Sequence, residues 1–115
     1  MSSAYSDIEI EARGLSLVVC CRVRNRSAEV WRSREVRISS QIIDPETHCY
    51  IEDGVRVSLG EDLAPGASAG VEVPIALPPQ RGSYRIYVSP MQEDAGWFYQ
   101  RNWPVLAIEA RVEDG

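Results

Sequence analysis

Four aromatic rings fall within seven positions near the C-terminus: Trp97, Phe98, Tyr99 and Trp103, interrupted by Gln100, Arg101 and Asn102 and bounded by Gly96 and Pro104. This is the part of the chain whose residue types best suit chemistry with a ligand. Sugar rings present apolar C–H faces that stack on aromatic rings, while their hydroxyls suit Arg, Asn and Gln, so the mixture points to carbohydrate recognition. In an extended segment Trp97 and Tyr99 share one face and Phe98 takes the other, leaving one face for a core and one for a platform. The competing role is structural, with Trp97 and Phe98 plugging the end of a fold and Trp103 covering a sheet edge.

Catalytic chemistry has little to work with. His48 is the only histidine, and the chain has no GxSxG, HExxH or glycine-rich phosphate loop. Asp44, Glu46, Glu52, Asp53, Glu61 and Asp62 gather in or beside mid-chain turns, but their spacing matches no calcium loop. Nothing sets the pKa of one against another, as a glycosidase pair requires. They read as solvated turns, and neither enzyme, metal nor cofactor is expected. The cysteines are Cys20, Cys21 and Cys49, without CxxC spacing. Neighbours on a strand point to opposite faces, so Cys20 and Cys21 are poorly placed to pair, and three free thiols in a reducing cytoplasm are expected.

The 115 residues suit one domain, 1–115, with a single core that needs no disulfide or metal. The net charge of −5 opposes attraction to nucleic-acid phosphates and anionic lipid surfaces. All 12 basic residues are Arg, which reads first as genome composition bias. No apolar run approaches the roughly 18 to 20 residues of a membrane span, and Met1 to Asp7 lacks the pattern of a secretory signal.

The elements that must position the aromatics are strands. Ile8, Ile10 and Ala12 alternate with charged residues, and Leu15, Leu17, Val19, Cys21 and Val23 form the clearest strand, expected to be central. Alternation resumes over Val36–Ile43, weakly over 48–51 and 55–59, strongly over 69–77 and 84–89, and finally through Leu106, Ile108, Ala110 and Val112. Turn phrases separate them: Asp44-Pro45, Leu63-Ala64-Pro65-Gly66 and Pro78 to Gly82. Pro74 lacks a donor and should lie at an edge or bulge. About seven to nine strands without a helical period predict an all-β, immunoglobulin-like antiparallel sandwich. One alternation phase would bury Leu17, Val19, Cys21, Val23, Ile38, Val71, Val73, Tyr84, Ile86 and Ile108.

The order Val23-Arg24-Asn25 then Trp31, Gly54-Val55-Arg56 with Leu59, Leu63-Ala64-Pro65-Gly66, Gly82-Ser83-Tyr84 and Gly96-Trp97-Phe98 resembles small immunoglobulin-like domains of bacterial surface-polysaccharide systems. These occur beside glycosyltransferases and methyltransferases and are similar to the C-terminal sandwich on the ATP-binding subunit of O-antigen ABC transporters, which recognises the finished polysaccharide. The resemblance, over about Leu15 to Val112, implies a non-catalytic carbohydrate-binding domain. It places such a domain in the cytoplasm, at the inner face of the membrane where a transporter holds it. It makes Arg56 and Trp97 the leading carry-over positions, beside Tyr99, Trp103, Arg101 and Asn102 from the aromatic segment. Partners implied are a glycan and a glycosyltransferase, methyltransferase or transporter subunit. The rival reading is a protein-interaction module that docks or homodimerises through an open sheet edge.

Overall fold

The computed structural model describes residues 4–92, 96–101 and 103–113, the side chains of Glu52, Tyr99 and Arg101 excepted. Among them are nine strands: β1 (Tyr5–Arg13), β2 (Ser16–Arg24), β3 (Val36–Ile43), β4 (Tyr50–Asp53), β5 (Val57–Ser58), β6 (Ser68–Ala76), β7 (Gly82–Gln92), β8 (Gly96–Trp97) and β9 (Leu106–Val112). A short 3-10 turn covers Phe98–Arg101. The strands form two antiparallel sheets, β1-β2-β6 and β4-β3-β7, the second extended by β8 and β9 on β7 and by β5 on β3. The chain is an all-β sandwich. No helix among the described residues is long and apolar enough to cross a membrane.

A single alternation phase runs through both sheets. Leu17, Val19, Cys21 and Val23 of β2 pair with Ile75, Val73, Val71 and Ala69 of β6, and all eight are buried. The second sheet answers with Ile38 and Ile42 of β3, Tyr84, Ile86 and Val88 of β7, and Ile108 of β9. All ten residues assigned to the core by their alternation lie there. A slip of one position on β2 would replace them with Arg22 and Arg24, which are exposed, and the loss of that apolar burial is what pins the register. Pro74 is exposed on β6, an edge strand, where its missing N–H removes no ladder bond.

Two places depart from the alternation. Ile10 pairs with the core residue Val19, yet it is 48% exposed and Ile8 is 45% exposed. β1 is an edge strand whose only neighbour is β2, and its register shifts between Ser6 and Glu9, with Asp7 at φ 51°. The strand therefore overhangs the opposite sheet instead of packing on it. The second departure is the aromatic segment. Only Gly96 and Trp97 are extended, against Gln92 and Met91, before the chain coils into the 3-10 turn. The two-face alternation expected for Trp97, Phe98 and Tyr99 is consequently absent.

The corner between β6 and β7 shows a hallmark of immunoglobulin-type sandwiches. The Tyr84 hydroxyl donates to the Gln80 carbonyl at 2.7 Å, tying the start of β7 to the loop before it. Two residues further on, where antibody domains place a cysteine of the inter-sheet disulfide, stands Ile86, and all three cysteines are free. Among the described residues no disulfide joins the sheets, and the layer between them is chiefly aliphatic. Tyr84→Phe removes one hydrogen bond and keeps the ring, so the unfolding free energy should fall by about 0.5–1.5 kcal/mol in urea titration, with an unchanged denaturant slope.

Candidate functional site

The site is organised by a buried amide. Asn25, at the end of β2, is 0% exposed, and its side chain makes four hydrogen bonds. Nδ2 donates to the carbonyls of Glu29 (2.8 Å) and Leu63 (2.9 Å), while Oδ1 accepts from the Ser27 backbone N–H (2.9 Å) and from the Ser27 hydroxyl (2.6 Å). Its backbone is also used at both atoms, N–H to Ala67 and C=O from Gly66. Asn suits this position because its amide offers two donors and a two-lone-pair acceptor, enough to meet every neighbour. It thereby locks the β2–β3 loop to the loop before β6. Just beyond, Trp31 and Leu63 exchange two backbone hydrogen bonds, of 2.9 and 2.8 Å.

The lock presents Trp31 to the aromatic segment. Trp31, Phe98 and Trp103 meet edge-to-face in all three pairings, with centroids 5.5, 5.1 and 5.9 Å apart and interplanar angles of 78°, 61° and 71°. Each such contact contributes about 0.5–1.5 kcal/mol beyond simple burial. The Tyr5 hydroxyl secures the other side by donating to the Pro104 carbonyl at 2.8 Å, and burial raises its pKa, so it stays a donor. The indole N–H of Trp103 reaches toward that hydroxyl, yet it is buried without an acceptor in hydrogen-bonding geometry among the described residues.

A cleft of about 300 Å³ opens over this cluster, with Trp31, Phe98 and Trp103 in its wall and Glu29, Arg32, Glu35 and Gln92 among the polar residues around it. Arg32 is steadied from the side: Asp62 pairs with its guanidinium at 3.4 Å and accepts the Ser33 N–H at 2.9 Å. The Ser33 N–H, and secondarily Arg32, hold the Asp62 carboxyl below its ordinary pKa. The arrangement brings three aromatic rings beside two carboxylates, a guanidinium and an amide.

The residues proposed from sequence distribute unevenly around the cleft. Trp103 lines it, half-buried. Trp97 is 8% exposed beside Met91, part of the packing under the site and not of its wall. Arg56 is exposed on the β4–β5 connection and does not line the cleft. The side chains of Tyr99 and Arg101, and the whole of Asn102, lie outside the described residues. Trp31, Phe98 and Gln92 are wall residues that sequence reading did not assign to the site. Trp31 carried a usable signal, a lone aromatic in the largely polar run from Asn25 to Arg34. Gln92 carried none.

No group of His, Cys, Asp and Glu among the described residues is placed to hold a metal ion. The thiols differ sharply in setting. Cys21 is buried and its pKa is raised by desolvation; Cys20 is half-buried, paired across the strands with Glu9 and Glu72, and desolvation and these carboxylates raise its pKa too. Cys49 is exposed. Compared with protein-family models and with curated proteins, the chain has no match.

Two outcomes are expected. Asn25→Ala removes four side-chain hydrogen bonds at a fully buried position and frees the β2–β3 loop, so it should lower stability by at least about 2 kcal/mol and broaden the Trp31 indole resonance. With Ellman's reagent on the folded protein, Cys49 should react first, Cys20 slowly and Cys21 only on unfolding, because the thiolate is the reactive form; rapid reaction at Cys21 in the native state would contradict the buried setting.

Proposed function

We propose that the chain is a non-catalytic carbohydrate-recognition module that binds a bacterial polysaccharide at the Trp31–Phe98–Trp103 cleft. The observation carrying this reading is the cleft's composition: an aromatic wall surrounded by Glu29, Arg32, Glu35 and Gln92. Stacking suits the C–H faces of sugars, and the polar groups suit their hydroxyls. Position supports it by analogy, since the cleft is built from the loop after the second strand and the loop after β7, which correspond to two of the binding loops of antibody variable domains. The resemblance to polysaccharide-system domains makes an O-antigen-like surface glycan the finer proposal for the ligand. A glycosyltransferase, methyltransferase or ABC-transporter subunit is its companion, at the cytoplasmic face of the membrane.

The rival reading, a protein partner adding a strand to a sheet edge, rests on the exposed Ile8 and Ile10 of β1. Against a second copy stands the charge of that strand. Glu9 and Glu11 flank Ile10, and an antiparallel pair centred there sets Glu9 opposite Glu11 of the other copy. The bulge at Ser6–Glu9 interrupts the ladder further, a device that discourages edge pairing.

The test is NMR titration with the producing organism's own polysaccharide fragments. Shifts should centre on the Trp31 and Trp103 indole N–H signals and on Gln92. Trp103→Ala, shown to remain folded, should weaken binding roughly thirtyfold, the equivalent of about 2 kcal/mol at a hot spot. Arg56→Ala should change affinity little. Absence of shifts with every native glycan, together with a dimer in light scattering that Ile10→Lys dissolves, would replace this reading by the edge-docking one.

A further inference from the structure

The polar groups around the aromatic cleft are not equally engaged. The Ser27 hydroxyl is taken up by Asn25 Oδ1 at 2.6 Å and by the Glu29 carbonyl at 3.0 Å, and the Arg32 guanidinium has Asp62 beside it at 3.4 Å. The carboxylates of Glu29 and Glu35 make neither a hydrogen bond nor an ion pair among the described residues, and both residues are exposed at the cleft. The ring surface is within reach as well. Phe98 and Trp103 are half-buried in the cleft wall, while Trp31, 4% exposed, braces both edge-to-face and offers a ligand little surface of its own.

That imbalance selects a ligand by its charge. An ionised carboxylate only accepts hydrogen bonds, so the capacity left over at Glu29 and Glu35 suits a group that donates and is positive. The rings favour the same group. The face of an aromatic ring is the negative part of its quadrupole and attracts an ammonium, most strongly when the ring is Trp. The Arg32 guanidinium opposes this, but with Asp62 counted, three carboxylates stand against it in the neighbourhood. A uronic acid or a phosphorylated sugar meets Glu29 and Glu35 as like charges, and a neutral sugar leaves their charge unused.

We infer that the glycan taken by this cleft is cationic, its free protonated amino group held by Glu29 and Glu35 and its ring packed on Phe98 and Trp103. The inference rests on the carbohydrate reading and narrows it to amino sugars without an acyl group on nitrogen. The experiment is an NMR titration of the intact chain, followed at the Trp103 indole N–H and the Gln92 side-chain amide. The probes are the methyl glycosides of glucosamine, N-acetylglucosamine and glucose, with tetramethylammonium chloride as a cation that carries no sugar. The glucosaminide should bind roughly fivefold or more tightly than either neutral glycoside, the combined worth of an exposed cation–π contact and an exposed ion pair. Added salt should shrink that ratio, because exposed charges are screened. Glu29→Gln and Glu35→Gln, combined and at exposed positions that keep the fold, should bring the three affinities together. Glu72→Gln, exposed on β6 and outside the cleft, should leave the ratio as it is. Equal binding of the glucosaminide and the neutral glycosides, or a ratio that survives the double variant, overturns the inference and leaves the carbohydrate reading standing. Tetramethylammonium binding as tightly as the glucosaminide overturns it in favour of a cation alone, and absence of shifts with every glycoside overturns both.

Discussion

The Asn25 amide is the constraint on which the aromatic end of this sandwich depends. Four side-chain hydrogen bonds converge on one fully buried residue, and one of them, to Leu63, joins segments separated by 38 positions in the chain. The Glu29 and Leu63 carbonyls each accept a second hydrogen bond, from the Ser27 hydroxyl and the Trp31 N–H, so the amide works within a connected network that holds the loop in place. Trp31 inherits that arrangement through its double bond with Leu63, and the aromatic cluster is assembled on Trp31. A polar residue in the core thus fixes apolar ones at the surface.

Beyond that end, the sandwich is held by conventional means. The sheets meet through alternating aliphatic side chains, and the polar groups that enter the core are mostly accounted for, Ser39, Ser89 and Asn25 by backbone carbonyls. Two groups among the described residues depart from this, the Ser40 hydroxyl and the Trp103 indole N–H, each buried without a partner. The aromatic cleft lies at the loops, with charged residues around its rings.

Strand identity and phase were legible in the sequence wherever one face is dry. β2, β6 and β7 have this form, and the period-two pattern names their buried residues directly. Ile8 and Ile10 alternate and yet stay exposed, because alternation reports which face a residue occupies and is silent on whether another layer covers that face. The aromatic segment departs for another reason. Composition singled out the segment, and Trp103 lines the cleft, but the chain leaves the extended form after Trp97, and a 3-10 turn of four residues leaves no periodic trace. Asn25 could be seen as a turn residue, since Ser27 follows it, but its long-range bond to Leu63 depends on the finished topology.

Ile86 stands where antibody domains place a disulfide cysteine, and this gives the fold a particular thermal character. Cross-links stabilise chiefly by restricting the unfolded chain, a contribution that persists on cooling. Contacts such as those of Ile86, Val19 and Val73 depend on water expelled from apolar surface, a driving force that weakens as temperature falls. The cohesion of the two sheets is accordingly strongest in warm water and slackens toward freezing, while assembly proceeds without any oxidising machinery.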